Sequence, residues 1–360
     1  MEPLKEMFGQ SFYKTLANVF ASVHKPFQAE RFVKDVTANL ENLSLNQRMR
    51  NTSITLHKHL PEDFSKTLDI MKEVVPQLKG GYTTLVFPDF VSLYGLPHFR
   101  ESLEALKYFT QFGSSEFAIR TFLKHDLHKT LKVMKQWSTD ENHHVRRLSS
   151  EGSRPRLPWS FKLDEIIKEP ALTLSILENL KCDDELYVRK SVANHINDLA
   201  KDSPDYVLKL VKTWDKTHQH TAWIMKRGIR SLLKQGDKKS MAIFNLTKDV
   251  KVSVKRFLLT NSVIRLNDSL QFQFDLVSEK STNQTLMIDY RIHYFKKSGM
   301  QLPKVFKLKE VTLNPGEVLS IVKKQRFQDF TTRKLFSGLH ILEIVVNGEV
   351  VKQKQFEFKR

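Results

Sequence analysis

The stretch that decides the fold of this chain reads Asn142-His-His-Val-Arg-Arg-Leu-Ser-Ser-Glu-Gly-Ser-Arg-Pro-Arg-Leu-Pro-Trp159. Its first half predicts the end of a helix, on which Arg147 and Glu151 share one face because they are four residues apart. Gly152 is expected to end that helix with a positive φ, and the two prolines prevent the helix from continuing. Four arginines around one carboxylate, next to a tryptophan, favour a site for a polyanion and a developing positive charge. A solvated helix end is the alternative interpretation.

The flanking sequence has a helical period and an internal repeat. Apolar residues recur every three or four positions, which predicts helices for residues 1 to about 245. A motif of one apolar residue and two cations begins at Val145, Val188 and Met225, at intervals of 43 and 37 residues. Two-helix units of the HEAT or armadillo type have this length, and stacked units align equivalent helices on one concave surface. We therefore predict a helical solenoid with a basic stripe that suits a phosphate backbone; ordinary exposed helix ends are the alternative.

The hydrophobic period changes near residues 246–250. Leu270–Leu276 and Ile288–Tyr294 alternate between apolar and polar residues, as half-buried strands do. Asn314-Pro-Gly316 indicates a turn, and Asn347-Gly348 indicates a tight hairpin. About seven short strands fit into this part of the chain, and such a number predicts an immunoglobulin-like sandwich.

The expected protein is thus mainly α, with a helical solenoid over residues 1–246 and a small all-β sandwich over residues 250–360. The chain carries 58 Lys and Arg against 40 Asp and Glu, a net charge of +18. Such an excess favours nucleic acid or another anionic surface as the partner. Residues 250–360 hold 20 of the basic and 10 of the acidic residues. This share favours DNA contacts by the sandwich, although a general effect on solubility is the alternative.

Several classes of protein do not fit the sequence. Cys182 is the single cysteine, so we expect neither a disulfide framework nor a cysteine-based zinc site. His143 and His144 do not form a His-Glu-x-x-His pattern, so no metal is expected. Because no signal peptide and no 18-residue apolar run is present, we expect a protein without a membrane partner. The predicted location is the cytoplasm, in the manner of a bacterial nucleoid protein, and the predicted state is a monomer without a cofactor.

At this point the residues resemble a known family. The run Val145–Trp159 is similar to the signature of the AlkC group of DNA alkylation repair glycosylases. The segment from Asp89 to Arg120 and the block Val188–Asp198 are similar to further blocks of that group. The resemblance covers most of residues 1–245, and some members carry a C-terminal immunoglobulin-like domain.

The resemblance implies an activity. It implies a HEAT-like solenoid that hydrolyses the N-glycosidic bond of cationic methylated bases in double-stranded DNA, as a step of base excision repair. The implied substrates are 3-methyladenine and 3-methylcytosine, and the implied mechanism works on a distorted duplex without base flipping. No lysine stands out as the amine that an abasic-site lyase needs, so a monofunctional enzyme is expected.

The same resemblance assigns roles to individual side chains. As a cationic base departs, the deoxyribose acquires oxocarbenium character, and glycosidases meet this demand with carboxylates. Glu151 is the first candidate to hold a water and stabilise this charge, and Glu116 and Asp198 are the next. Trp159 would stack on the deoxyribose or the opened base step, and Arg147 would orient Glu151 or occupy the gap in the duplex. Contacts to phosphates are expected from Arg154, Arg156, Arg189, Lys190, Lys226 and Arg227.

Two alternatives remain open. One is a non-catalytic HEAT-repeat protein that binds damaged or bent DNA, and the other is a scaffold for protein partners. The repeated cation pairs and the excess of positive charge argue against the scaffold. Release of a free base separates the enzyme from the non-catalytic binder.

Overall fold

The computed structural model describes residues 3–296, 299–300, 303–330 and 334–360. The chain forms two compact units, of which the first is Met1–Val207 with Trp214–Gly228 and the second is Leu208–Thr213 with Ile229–Arg360. The change from helix to strand falls between Ile243, which ends the last helix, and Val252, which begins the first strand. In the described part of the chain, no helix has the length and hydropathy that crossing a membrane requires.

The helical region consists of α-helices, several of which are joined by short 3-10 turns. The α-helices of the described residues are α1 (Gln10–Val23), α2 (Ala29–Thr37), α3 (Leu45–His59), α4 (Phe64–Val74), α5 (Val86–Tyr94), α6 (Phe99–Phe109), α7 (Ile119–His125), α8 (Leu127–Trp137), α9 (His143–Gly152), α10 (Asp164–Lys168), α11 (Leu174–Leu180), α12 (Leu186–Asp202), α13 (Pro204–Thr213), α14 (Gln219–Gly228), α15 (Arg230–Gln235) and α16 (Lys238–Ile243).

The repeated motif marks equivalent helices. Val145, Val188 and Met225 lie on α9, α12 and α14, and each is almost fully buried. Helix α9 packs against α12, and α12 packs against α14. Stacked neighbours that bury the same position of each repeat are the defining property of a solenoid, so the predicted helical architecture is confirmed.

The end of α9 differs from the prediction. Asn142 caps the helix, since its side chain accepts a hydrogen bond from the His144 amide at 2.9 Å. Gly152 is the last helical residue, and its φ is not positive, so the expected left-handed ending was wrong. A glycine is needed there for space, because a Cβ atom would lie 2.5 Å from Cγ2 of Ile119. The residue of this segment that has a positive φ is Trp159, at 65°.

The second region is a sandwich of two main sheets, as predicted. One sheet has the strand order β1-β3-β8, and the other has the order β2-β10-β9-β4-β7. The described strands are more numerous than the seven expected, partly because two of them have only two residues. They are β1 (Val252–Leu259), β2 (Val263–Arg265), β3 (Ser269–Ser278), β4 (Gln284–His293), β5 (Phe295–Lys296), β6 (Gly299–Met300), β7 (Lys304–Leu313), β8 (Val318–Arg326), β9 (Gly338–Val346) and β10 (Glu349–Lys359).

The alternating segments supply the core of the sandwich. Leu270, Phe272 and Leu276 of β3 are fully buried, as are Ile288 and Ile292 of β4. Both predicted segments therefore lie in strands that send every second side chain into one shared cluster. The two strands belong to different sheets, and the core lies between them.

The hairpin between β9 and β10 turns at the predicted pair. Asn347 and Gly348 have φ values of 46° and 83°, as a type I′ turn requires. A Cβ atom on Gly348 would lie 2.2 Å from the Cα atom of Gly236, which itself has a φ of 76°. Gly348 is thus required both by its backbone conformation and by the close approach of a second chain segment.

We predict that Gly348→Ala destabilises the sandwich more than Gly316→Ala does. Gly316 also has a positive φ, of 73°, but apart from its chain neighbours no atom of the described residues lies within 4 Å of the position of its Cβ. The Gly316 variant should cost about 1 kcal/mol for the left-handed backbone, and the Gly348 variant about 1–3 kcal/mol more for overpacking. Calorimetric unfolding of both variants measures the difference, and equal losses would contradict the role of the Gly236 contact.

Candidate active site

A buried arginine fixes the loop that follows α9. Arg120 of α7 is fully buried, and its Nη1 donates to the carbonyls of Gly152 and Arg154 at 3.0 and 2.6 Å. Its Nη2 donates to the carbonyl of Phe161. Burial, together with the nearby charge of Arg154, lowers the pKa of Arg120 to about 10, which still leaves it charged at neutral pH. One cation therefore closes residues 152–161 into a fixed loop.

A neutral histidine fixes the last turn of α9 from the other side. Nδ1 of His195 lies 3.0 Å from the carbonyl oxygen of Ser150, and Nε2 lies 3.2 Å from the hydroxyl of Thr173. Complete burial lowers the pKa of His195 to about 3. Since a carbonyl only accepts, Nδ1 carries the proton and Nε2 accepts from Thr173. The residue that precedes Glu151 is thereby tied to α12.

Five charged side chains form a continuous series at this turn, which we call the ionic chain. Glu116 binds Nη1 of Arg147, whose Nη2 lies 3.7 Å from Oε1 of Glu151. The same Oε1 lies 2.5 Å from Nη1 of Arg154, and Arg154 reaches Oδ2 of Asp198 through Nη2 at 2.7 Å. The three carboxylates proposed from the sequence are therefore brought together, although they come from three separate segments.

The members of the ionic chain differ in their exposure to the surface. Glu151, Arg154 and Asp198 are 6, 7 and 2% exposed, whereas Glu116 and Arg147 are partly exposed. Burial alone would lower the pKa of Arg154, but the two carboxylates beside it outweigh this effect and raise the pKa. Arg154 is therefore a permanent cation whose described hydrogen bonds hold two acids in place.

A cavity of about 540 Å³ opens beside the ionic chain. Glu116, Arg147, Glu151 and Arg154 contribute to its walls, and Asp198 is not among its lining residues. Trp159 stands at the cavity with 76% of its surface exposed, held there by its left-handed backbone conformation. The exposure of a large aromatic side chain at such a position is typical of a surface that stacks on a ligand.

The remaining predicted binding residues have different surroundings. Arg156 forms a two-bonded ion pair with Asp202, at 2.7 and 2.6 Å. Arg189 donates to the carbonyls of Asp183 and Asp184 at 2.9 and 2.6 Å. Lys190 is exposed on α12. Lys226 and Arg227 lie in the last turn of α14, and the guanidinium of Arg227 lies above the ring of Trp223.

The first cation of two repeats has the same structural use. Arg146 donates to the carbonyls of Asp140 and Glu141, which precede it by six and five residues. Arg189 repeats this contact in the next repeat, again with the carbonyls six and five residues before it. The arginine therefore closes the loop that enters the helix, a role that the repeated motif alone did not reveal.

Sequence reasoning missed two residues of the site. Arg120 was quoted within a family block but received no role, because a buried arginine looks like any other helix cation in a sequence. Tyr187 lines the cavity, and the guanidinium carbon of Arg147 lies 4.8 Å from the centre of its ring. In the sequence, Tyr187 directly precedes the second cation motif, Val188–Lys190, and this position could have indicated its role. Within the described ranges, no group of three or more His, Cys, Asp or Glu side chains could hold a metal ion.

Comparison with known proteins places this geometry in a family. The family model described as "DNA alkylation repair enzyme" matches residues 103–232, and the model described as "Uncharacterised protein YhaZ, C-terminal Ig-like domain" matches residues 253–360. The uncharacterised protein YhaZ of Bacillus subtilis (strain 168) is 39% identical over 99% of both chains. The DNA-bound structure of the alkylpurine DNA glycosylase AlkC of Pseudomonas fluorescens covers both chains completely, with 43% identity and a TM-score of 0.96.

The fold and the matched regions define a DNA alkylation repair protein with an immunoglobulin-like domain. Identity of this level over the whole length decides the family. The chain belongs to the AlkC family of DNA alkylation repair glycosylases. The resemblance seen in the sequence is thereby confirmed, and so is the architecture that it implied.

We predict that Arg120→Leu strongly destabilises the helical region. Three carbonyls lose their donor, and each unsatisfied group costs about 1–3 kcal/mol when buried. A loss of at least about 3 kcal/mol is expected in urea unfolding followed by tryptophan fluorescence, because all four tryptophans precede residue 229. Arg100→Leu removes the same charge at an exposed position of α6 and serves as the control. Equally small losses in both variants would contradict the role of Arg120.

Proposed function

We propose that this protein is a monofunctional glycosylase that removes cationic methylated bases from double-stranded DNA in base excision repair. The proposed substrates are 3-methyladenine and 3-methylcytosine. The observation that carries the proposal is a buried carboxylate, Glu151, which two arginines hold at the wall of a cavity next to the exposed Trp159. The abasic-site analogue in the DNA of the Pseudomonas relative represents the product of such a reaction and supports the same reaction here.

The chemistry requires negative charge near the sugar. Methylation of a ring nitrogen makes the base a cation, so the base leaves without a proton from the enzyme. The bond breaks towards the base, and C1′ of the deoxyribose becomes electron-poor. A fixed carboxylate stabilises this developing charge and holds a water whose oxygen adds to C1′, while the proton that the water loses passes to the carboxylate. Glu151 suits this task because Arg154 donates to its Oε1 and Arg147 lies against the same oxygen, so we assign the water to Oε2.

The other two carboxylates receive different roles. Glu116 lines the cavity and shares Arg147 with Glu151, so it can add negative charge near the sugar. Asp198 is buried behind Arg154, and its oxygens accept from Arg154 at 2.8 Å and from Lys201 at 3.0 Å. We therefore assign Asp198 the positioning of Arg154, although the sequence suggested it as a catalytic candidate.

The same charges suit a mechanism that leaves the substrate base outside any pocket while the glycosidic bond breaks. Because the leaving group is already cationic, the enzyme needs no donor to the base, and the sugar is the part that must be held. Trp159 would stack on the deoxyribose or the opened step, and Arg147 would fill the gap in the duplex. Trp159 and Arg147 line the same cavity as Glu151. A sugar of the bound DNA that enters this cavity would therefore be near all three side chains.

The proposed grip on the DNA backbone depends on cations that are exposed or, in the case of Lys226, partly exposed. Lys190, Lys226, Arg227 and the basic sandwich of residues 250–360 are the proposed phosphate contacts. The predicted functional division remains residues 1–246 for the chemistry and residues 250–360 for added DNA binding. We further propose that the protein acts as a monomer on the bacterial nucleoid, because its substrate is chromosomal DNA.

We predict that Glu151→Gln abolishes base release and leaves DNA binding nearly intact. Glutamine keeps the shape of the side chain and removes the charge that stabilises the sugar cation. The single-turnover release of 3-methyladenine or 3-methylcytosine should fall at least about 100-fold. Affinity for an abasic-analogue duplex should change by less than about threefold, since a neutral side chain repels no phosphate.

The control for this experiment is Glu141→Gln, which removes an exposed charge just before α9. It should release base at the rate of the wild type. Equal losses of binding and release in Glu151→Gln would contradict the catalytic assignment. If the wild type binds the lesion tightly but releases no base, the protein is a binder of damaged DNA and not a glycosylase.

We predict that Lys190→Gln weakens binding to every duplex by a similar factor. Each phosphate contact releases about one counterion, so the slope of log affinity against log salt concentration should fall by about 1. Lys58→Gln, at an exposed position of α3, should leave the slope unchanged. An unchanged slope in the Lys190 variant would show that this lysine does not contact the backbone.

A further inference from the structure

A second cavity shares the wall that contains Trp159. It has a volume of about 420 Å³, within the range of small-molecule sites. We call it the Arg50 cavity, after the guanidinium at its edge. Tyr82, Phe117 and Trp159 line both this cavity and the one beside Glu151, so the two are neighbours with a shared aromatic wall. The proposed mechanism uses Trp159 of the shared wall but none of the residues that line the Arg50 cavity alone.

Among the polar side chains that line this cavity is an arginine, Arg50, which is held in place by a buried acid. Nη2 of Arg50 lies 2.8 Å from Oδ1 of Asp89, with 47% of the Arg50 side chain exposed. Asp89 is 7% exposed, and its Oδ2 accepts no hydrogen bond from the described residues. An acid buried at such a cost is suited to fixing the guanidinium. Arg50 therefore presents its N–H groups to the cavity in a fixed orientation.

The charges of the pair restrict the ligand. Because Asp89 balances Arg50, a phosphate would gain little net attraction from the pair. A guanidinium in a neutral pair still donates directional hydrogen bonds, and the commonest base contact of arginine is with the acceptor edge of a base. The surrounding side chains of Tyr82, Phe117, Trp159 and Phe161 offer flat surfaces for stacking.

We propose that the Arg50 cavity binds one nucleobase, which stacks on the aromatic wall and accepts hydrogen bonds from Arg50. The proposal deepens the proposed function, because a glycosylase site next to this cavity supplies nucleobases to it. Two sources share this chemistry. One is an unpaired base of the bound DNA, and the other is the base that the enzyme has just released.

Cross-linking tests the first source. A duplex carries 5-iodouracil opposite an abasic-site analogue, is bound to the full-length protein and is irradiated, and the linked residue is located by mass spectrometry. We expect links to Tyr82, Phe117 or Phe161. Ser92→Leu, which places a larger side chain in the wall of this cavity alone, should reduce these links at least fivefold, and Arg50→Gln should do the same.

Free adenine tests the second source. Its binding to the DNA-free protein is followed by saturation-transfer NMR, with the wild type beside the same two variants. We expect a signal in the wild type that falls at least threefold in both variants. Arg31→Gln, which removes an exposed arginine from α2, is the control for the loss of charge and should change neither experiment.

The two experiments distinguish the two sources of the base from each other and from the absence of a binding site. Variant-sensitive links identify a DNA base as the ligand, and a variant-sensitive NMR signal identifies a released base. Links to Trp159 alone or to residues outside the cavity, together with no adenine signal, would overturn the proposal. Signals that persist unchanged in both variants would also overturn it. Neither experiment measures turnover, so a protein that releases no base would refute the glycosylase and still leave this binding site testable.

Discussion

The geometry of the site depends on a buried cation, Arg120, that has only carbonyl oxygens as its described hydrogen-bond partners. A charge without a carboxylate partner is costly to bury, and three dipoles aimed at one guanidinium offset part of that cost. These three hydrogen bonds hold the loop after α9 in one conformation. They also fix the backbone from which the Arg154 side chain extends. The aromatic and ionic side chains of the site are therefore positioned in the DNA-free protein, and the proposed electrostatic catalysis requires such an arrangement.

The site must meet two opposite electrostatic requirements, attraction of a polyanion and stabilisation of a positive charge. The chain as a whole carries +18, which draws it to DNA. A catalytic centre with the same excess would disfavour a sugar cation. The ionic side chains of the cavity are instead two acids and two arginines, Glu116 and Glu151 with Arg147 and Arg154. In the proposed mechanism, cations of the surface attract the polyanion, and the locally balanced site accommodates the positive charge of the sugar.

The features that could be predicted from the sequence are those that depend on residues close together in the chain. The spacing of Arg147 and Glu151 placed them on one face, and Asn347-Gly348 marked the hairpin, because both depend on neighbours within four residues. Contacts between distant segments were not predictable in this way. Arg154 meets an aspartate 44 residues away, and Gly152 is a glycine because Ile119 approaches it. The repeated arginines suggested a surface stripe, but both bind carbonyls of the preceding loops, and Arg146 also pairs with the carboxylate of Asp183.

The neutral imidazole of His195 makes the stability of the fold depend on pH in the acidic range. His195 resists protonation in the folded protein down to about pH 3, whereas an unfolded chain binds that proton near pH 6.5. The unfolded state thus holds more protons between these values, and the stability of the fold declines as the pH falls through them, by up to about 1.4 kcal/mol for each pH unit. Acid would therefore deplete the folded protein by promoting its unfolding, while in the molecules that stay folded His195 remains neutral and keeps its contact with the carbonyl of Ser150.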